Sequence, residues 1–315
     1  MHPAVSGIHH VTVIAGDAQA NVDFYVGLLG LRLVKKTVNQ DMPETYHLFY
    51  ADAVGTPGTD LTFFSWPDMP PARPGAGLAS EVTLALAEGS LSFWRERLAG
   101  HGVETHEPEA RFGEDVLPFS DPHGLALALV ESENERPWTP WSGSAVPEAH
   151  QIRGMHSVRM RVRSLGATKD LLVNALGFRE ASVDDGWHRL EVADGGSGCL
   201  VDIEEVRDER LGRWGTGAIH HVAWIAGDAE EELALRDRVV ESGLRPTEVI
   251  DRFWFRSVYF KEPGGVLFEL ATEGPGFARD EAIDHLGEQL ILPPWLEEQR
   301  AEIEAALPDI VVPRP

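Results

Sequence analysis

Residues Ile8-His9-His10-Val11-Thr12-Val13-Ile14-Ala15-Gly16-Asp17-Ala18 return 211 positions later as Ile219-His220-His221-Val222-Ala223-Trp224-Ile225-Ala226-Gly227-Asp228-Ala229, with nine of eleven positions identical. Identity that dense at one offset marks a duplicated structural unit, and any fold for this chain has to place the two copies equivalently. Weaker copies lie between them. One is Gly154-Met155-His156-Ser157-Val158, running into the alternating Arg159-Met160-Arg161-Val162-Arg163. The other is Ser80-Glu81-Val82-Thr83-Leu84-Ala85-Leu86. Each reads as an opening strand.

Every opening strand leads into an amphipathic segment with helical spacing, over residues 18–29, 90–99, 165–176 and 229–242. Asp17, Ser90, Ser164 and Asp228 stand where N-caps are needed. Each segment stops at a glycine (Gly30, Gly102, Gly177, Gly243), the residue suited to a left-handed helix end. An apolar residue then opens a second strand (Leu31, Val103, Phe178, Leu244), and two more follow. These are 46–51 and 60–66, 115–120 and 125–130, 187–192 and 198–203, and 256–261 and 266–271, each pair around a Pro- or Gly-rich turn. The chain is therefore α+β: four βαβββ modules, at 1–66, 77–131, 152–204 and 217–272. Proline-rich or polar joints fall at 67–74, 131–150 and 207–216. The expected division is an N-terminal domain over 1–135, a C-terminal domain over 150–275, and a tail over 276–315. The tail's helix near 294–306 is expected to pack on the body or on a partner chain.

The 315 residues suffice for two domains with real cores. A net charge of −24 argues against nucleic acid or an anionic membrane as partner. No apolar run approaches the roughly 20 residues that span a bilayer. The first residues have no basic or apolar leader pattern, and a cytoplasmic location is the expectation. The lone Cys199 rules out a disulfide within the chain.

The repeat also sorts candidate metal ligands. His10 and His221 recur on equivalent strands, whereas unit three has Ser157 there and unit two an apolar-strand residue near Val82. Aligning the last strands on their turn prolines, Pro57 with Pro263, sets Glu269 opposite Phe63, with Ala128 in unit two. Unit three's strand, read as Cys199-Leu200-Val201, offers no carboxylate. Ligand chemistry thus survives only in units one and four. A carboxylate inside Val266-Leu267-Phe268-Glu269-Leu270 is costly to bury unless paired or coordinated. For His10, His221 and Glu269 to bind one metal, units one and four must share a barrel, and two and three the other. Two imidazoles and one carboxylate with open positions form the facial triad of non-haem Fe(II) oxygenases. A fourth ligand would have to stand where Phe63 falls.

Tandem βαβββ units with a histidine on the first strand and a glutamate on the last resemble the vicinal oxygen chelate superfamily. It includes glyoxalase I, fosfomycin-resistance proteins and extradiol dioxygenases. The resemblance covers all but the tail, and it implies two open barrels built from the four modules. Within the superfamily the chain is similar to hydroquinone-type ring-cleaving dioxygenases, the 2,6-dichlorohydroquinone 1,2-dioxygenase group. The phrases that carry the likeness are Gly7-Ile8-His9-His10-Val11-Thr12, Tyr46-His47-Leu48-Phe49-Tyr50-Ala51-Asp52, Gly55-Thr56-Pro57-Gly58-Thr59, Pro263-Gly264-Gly265-Val266-Leu267-Phe268-Glu269, and Gly276-Phe277 with Asp280-Glu281.

That resemblance implies Fe(II), with Mn(II) as the alternative, held by His10, His221 and Glu269. It implies a small aromatic diol of the hydroquinone or catechol type and O2 as substrates. It sets Tyr259 and Arg252 beside the substrate, His220 as an acid/base and His9 near the site. Strand alternation points His9 and His220 to the opposite face, so direct substrate contact requires a bulge or a loop there. Thr12, His47 and Asp52 are candidates for orienting the site. A glyoxalase-type isomerase or lyase using Zn, Ni or Mn is the competing reading, and a non-catalytic small-molecule binder is a third. A homo-oligomer stays open.

Overall fold

The computed structural model describes residues 3–133 and 136–313. The expected domain limits at residues 1 and 135 and the tail's end at 315 lie outside the described residues. Unit one supplies β1 (Ile8–Ala15), β2 (Arg32–Asn39), β3 (Met42–Ala51) and β4 (Asp60–Ser65). Unit two supplies β5 (Leu78–Leu86), β6 (Glu109–Arg111), β7 (Glu114–Ser120) and β8 (Ala126–Glu131). Unit three supplies β9 (Gly154–Val162), β10 (Arg179–Asp184), β11 (Trp187–Glu191) and β12 (Leu200–Glu205), and unit four β13 (Ile219–Ile225), β14 (Ile250–Asp251), β15 (Arg256–Lys261) and β16 (Leu267–Ala271). A helix follows the first strand of each unit, as the periodicity requires.

The units join across the chain and not in sequence order. One eight-stranded sheet runs β14-β15-β16-β13-β1-β4-β3-β2, and the other β10-β11-β12-β9-β5-β8-β7-β6. Units one and four therefore share one curved sheet and units two and three the other, as the ligand argument demands. At the centre of each sheet the two opening strands run antiparallel, Val11 opposite Val222 in one and Val82 opposite Val158 in the other. The first and third joints run side by side, with Ala72 N donating to Thr216 O at 3.0 Å and Gly212 N to Ala76 O at 2.9 Å. Among the described residues no helix is long and apolar enough to cross a membrane.

Asp17 caps its helix by accepting from Ala20 N, and Asp228 from Glu230 N and Glu231 N; Ser90 and Ser164 make no such bond. The four terminating glycines all have positive φ, between 71° and 87°. The first helix is not uniform. Five α-helical residues, Ala18–Val22, widen into a π-helical stretch, Asp23–Leu28, that buries Phe24, Tyr25 and Val26. Its last carbonyls accept from the Arg97 guanidinium (Leu28 O, 2.8 Å; Gly27 O, 3.1 Å). The tail packs on the body. A 3₁₀ segment, Pro294–Gln299, and a short α-helix, Arg300–Ala306, place Leu296 and Ile303 against Val38, beside Leu292 of the stretch before them.

Candidate metal centre

His10 lies on β1, His221 on β13 and Glu269 on β16, at the seam where units one and four meet. His10 Nε2 and His221 Nε2 are 3.2 Å apart; Glu269 Oε2 is 3.3 Å from the first and 2.9 Å from the second. All three side chains are buried, and among the described residues they form the one group of three or more His, Cys, Asp or Glu whose ligand atoms converge on one point. Bonds of about 2.1 Å at right angles would set neighbouring ligand atoms about 3.0 Å apart, so the triangle has the size of one coordination face.

The surrounding hydrogen bonds explain why this point needs a cation. His9 Nε2 lies 3.2 Å from Thr272 O, a contact that requires a proton on that nitrogen. Its Nδ1 is then an acceptor, 2.8 Å from His10 Nδ1. His10 therefore carries its proton on Nδ1 and turns a bare Nε2 lone pair toward Glu269. The second copy repeats the contact, with His220 Nδ1 2.8 Å from His221 Nδ1. Glu269 Oε2 is buried without a hydrogen-bond donor, while Oε1 accepts from Ser257 Oγ at 2.5 Å. Two imidazole nitrogens and an orphaned carboxylate oxygen fit a divalent cation.

Burial works against ionisation of Glu269; positive charge on His10 and His221 would hold its carboxyl low, and with those rings neutral a bound cation would take that role. Burial keeps His221 below its ordinary value, and it pushes His9 and His220 down to about 3 with help from the neighbouring ligand imidazoles. These three rings stay neutral, as metal ligation and the proton pattern above both require.

The conflict between pleat and site proximity for His9 and His220 resolves in the backbone. Register between β1 and β13 slips twice, between Ile8 and His10 and between Thr12 and Val13, where the partner passes from His221 to Ile219. His9 is the extra residue of one bulge and His220 of the other. Each bulge turns its histidine onto the back of the ligand beside it. Neither ring lines the cavity in front of the metal face.

That cavity is lined by His10, His221, Tyr259, Arg252 and His47 with Phe49, Phe64, Trp254 and Phe255. Tyr259 sits directly across β15–β16 from Glu269, its ring against His221. Burial, then the nearby Glu269 charge, raise its phenol above the ordinary value despite Arg252, so it remains a donor. Arg252 stays fully charged: burial opposes its charge, but Tyr259 and Asp41 outweigh it. Its Nη2 bonds Asp41 at 3.0 Å and its carbonyl accepts from Gln40 Nε2 at 3.0 Å, so the β2–β3 turn roofs the cavity.

Register corrects one sequence expectation. Glu269 pairs with Ala223 on β13, and the matching position, Thr12 on β1, pairs with Thr62. Thr62, not Phe63, is the counterpart of Glu269. The turn before β4 is one residue shorter than the turn before β16, which displaces an alignment anchored on proline. Phe63 faces the opposite side, into the core against Tyr25 and Tyr50. Thr62 Oγ1 instead lies 2.7 Å from Thr12 Oγ1 and 3.0 Å from His47 Nε2. Asp52 is removed from the cavity; it accepts from Val54, Gly55, Thr56 and Thr139 backbone N–H groups and organises a loop. Sequence reasoning passed over Ser257 and the aromatic wall of Trp254 and Phe255. A serine two positions before Tyr259 was the available signal for the first.

The chain belongs to the Glyoxalase/Bleomycin resistance protein/Dioxygenase superfamily, whose model matches residues 7–129 and 154–270. Its relatives narrow this. It is 42% identical over 314 residues, 97% of this chain and 99% of the other, to a Bacillus subtilis (strain 168) protein, MhqA, that carries the name "Putative ring-cleaving dioxygenase". It is 34% identical over 322 residues, 98% of each chain, to the chlorohydroquinone/hydroquinone 1,2-dioxygenase of Sphingobium indicum. The crystal structure of a Bacillus subtilis protein described as a "putative dioxygenase" superposes with a TM-score of 0.93 at 37% identity, covering 99% of both chains. Glyoxalase I from Zea mays shares the fold, at TM-score 0.62 and 17% identity over 85% of this chain and 92% of that one.

Proposed function

We propose that this protein is an Fe(II)-dependent ring-cleaving dioxygenase acting on hydroquinone- or catechol-type aromatics with O2. The observation that carries the reading is the ligand count. Thr62 stands where a fourth protein ligand would, so the metal face keeps positions free for two further ligands. The names of the relatives point the same way.

Bound iron would supply electron transfer between a coordinated ring oxygen and O2. The chain's own groups do the rest. Glu269 lowers the net charge of the site, and Ser257 fixes the orientation of its carboxylate. His9 and His220, as orienting partners, hold the ligand rings and their proton positions, the arrangement that tunes ligand basicity. Arg252 offsets the charge of an ionised ring hydroxyl. Tyr259, kept protonated, donates a hydrogen bond or proton to a ring or oxygen-derived group. Phe49, Trp254 and Phe255 exclude water and accept a flat ring. Mn(II) would fit the same donors.

Anaerobic reconstitution with Fe(II), followed by O2 uptake on a panel of hydroquinones and catechols, tests the reading. Stoichiometric uptake with ring opening is expected. Isomerisation of a thiohemiacetal without O2 uptake would establish the glyoxalase-type alternative, and a purified protein that takes up no metal would establish a simple binding role.

A further inference from the structure

The two halves of the metal cup are related by the repeat, and the relation extends to the strand beyond the ligands. Glu269 pairs with Tyr259 across β15–β16, and Thr62 with Phe49 across β3–β4. Two residues earlier on each strand stand Ser257 and His47. Both bond diagonally to the ligand position: Ser257 Oγ to Glu269, and His47 Nε2 to Thr62 Oγ1. Ser257 is thereby fully used. His47 is not, because an imidazole has a second nitrogen. The ring lines the cavity, and among the described residues its Nδ1 makes no hydrogen bond.

The ring is also held. It packs against Phe49 at 4.0 Å and Phe64 at 4.4 Å between centroids, and Thr12 backs Thr62. Burial, followed by the nearby His10, His221 and Arg252, keeps it well below the ordinary histidine value. It therefore presents a neutral N–H or lone pair, and the two hydroxyls behind it can reverse their donor direction to suit either tautomer.

We infer that His47 is a substrate-binding residue whose Nδ1 hydrogen-bonds the ring oxygen of a small aromatic diol that is not on the metal. This rests on the proposed function for the identity of the ligand. It gives the cavity polar recognition on its unit-one wall, opposite the Arg252–Tyr259 wall, and makes the second oxygen a determinant of affinity.

The test compares hydroquinone with phenol, which lacks the second oxygen, for binding to the Fe(II)-loaded protein without O2. Wild type, His47→Phe and Thr62→Val are measured, with iron content and circular dichroism for each. His47→Phe keeps the aromatic stack, and loss of one neutral hydrogen bond should weaken hydroquinone about threefold to tenfold while leaving phenol unchanged. Thr62→Val, which frees the ring to turn, should move the ratio the same way by less. An unchanged hydroquinone-to-phenol ratio, or equal loss for both ligands, would overturn the inference. Turnover is read separately. Absence of O2 uptake by wild type with the ratio still dependent on His47 would defeat the dioxygenase reading and leave the contact standing.

Discussion

The same fold is used twice in this chain, and only one copy is built for chemistry. Register aligns the copies residue by residue. His10 faces Ala223 where Glu81 faces Arg159, and Thr12 faces His221 where Thr83 faces Ser157. Glu269 pairs with Ala223 as Asp202 pairs with Arg159, and Tyr259 opposes Glu269 as Arg189 opposes Asp202. Even the bulges persist, with His156 skipped in the second sheet as His220 is in the first. The second cup therefore keeps two carboxylates at ligand positions, and the expectation that unit three offers none is corrected by Asp202. What it lacks is a bare site. Arg189 grips Asp202 with two bonds (2.8 and 3.0 Å) and Glu114 with a third, Arg111 grips Glu81, and Arg159 lies on Trp187 at 3.6 Å. Arginine does for these carboxylates what a metal would do for Glu269. His156 Nδ1 is left orphaned because Ser157 cannot reach it as His221 reaches His220.

Removing one ligand should separate the cups most sharply. His221→Ala is expected to abolish stoichiometric iron binding and turnover together, read by elemental analysis and O2 uptake, because two donors no longer define the site. Iron at full occupancy in that variant would show that the ligand set is wrong. In the second cup the corresponding damage is to stability. Arg189→Met leaves Asp202 buried and unpaired, at a cost of about 3–5 kcal/mol in denaturant unfolding, while the iron content of the folded protein is unchanged. Replacing both partners, as Arg189→Met with Asp202→Leu, should recover most of that loss.

The pH dependence of stability offers a further check on the second cup. Burial alone would raise Glu114, but His156 and Arg189 outweigh it and lower the carboxyl from 4.5 to about 2. A depressed carboxylate stabilises the fold above its unfolded value and ceases to do so as pH falls through the folded one. Denaturation midpoints should therefore drop from about pH 4.5 toward about pH 2, and Arg189→Met, which raises the folded-state value toward the unfolded one, should shrink that drop and end it at higher pH. A wild-type midpoint that is flat over this window would contradict the ion-pair account.

The convergence of His10, His221 and Glu269 and the sheet pairing were legible because the repeat is strong where it matters: nine identities of eleven mark β1 and β13 as equivalent strands without any structure. Where the copies diverge, register was lost. The unequal turns before β4 and β16 moved the counterpart of Glu269 by one residue, from Thr62 to Phe63, and in the 198–203 strand, with no turn proline as anchor, the ligand position was sought over Cys199–Val201, one residue short of Asp202. Bulges are invisible to a period-two pattern, so the placement of His9 and His220 came from the backbone. Ser257 and His47 act through diagonal neighbours on adjacent strands, which a linear reading does not bring together. Ser257 can be tested on its own. Ser257→Ala should weaken iron binding about 10- to 100-fold by loosening the Glu269 carboxylate, measured by competition with a chelator. An unchanged affinity would mean that the histidines alone orient the site.

The smallest expected effect is the most discriminating one. Ser157→His places an imidazole at the counterpart of His221, beside Glu81 and Asp202 at the counterparts of His10 and Glu269. By residue type that set is a plausible metal triad. By geometry it is closed, since Asp202 has both oxygens on Arg189, and Glu81 both on Arg111. A cation would have to displace two buried guanidinium groups and leave them without partners, which costs more than one added ligand returns. Metal stoichiometry should therefore remain one per chain. Adding Arg189→Met and Arg111→Met to Ser157→His removes the competing cations and should raise it. Two ions bound by Ser157→His alone would show that the missing imidazole, not the arginines, silenced the second cup.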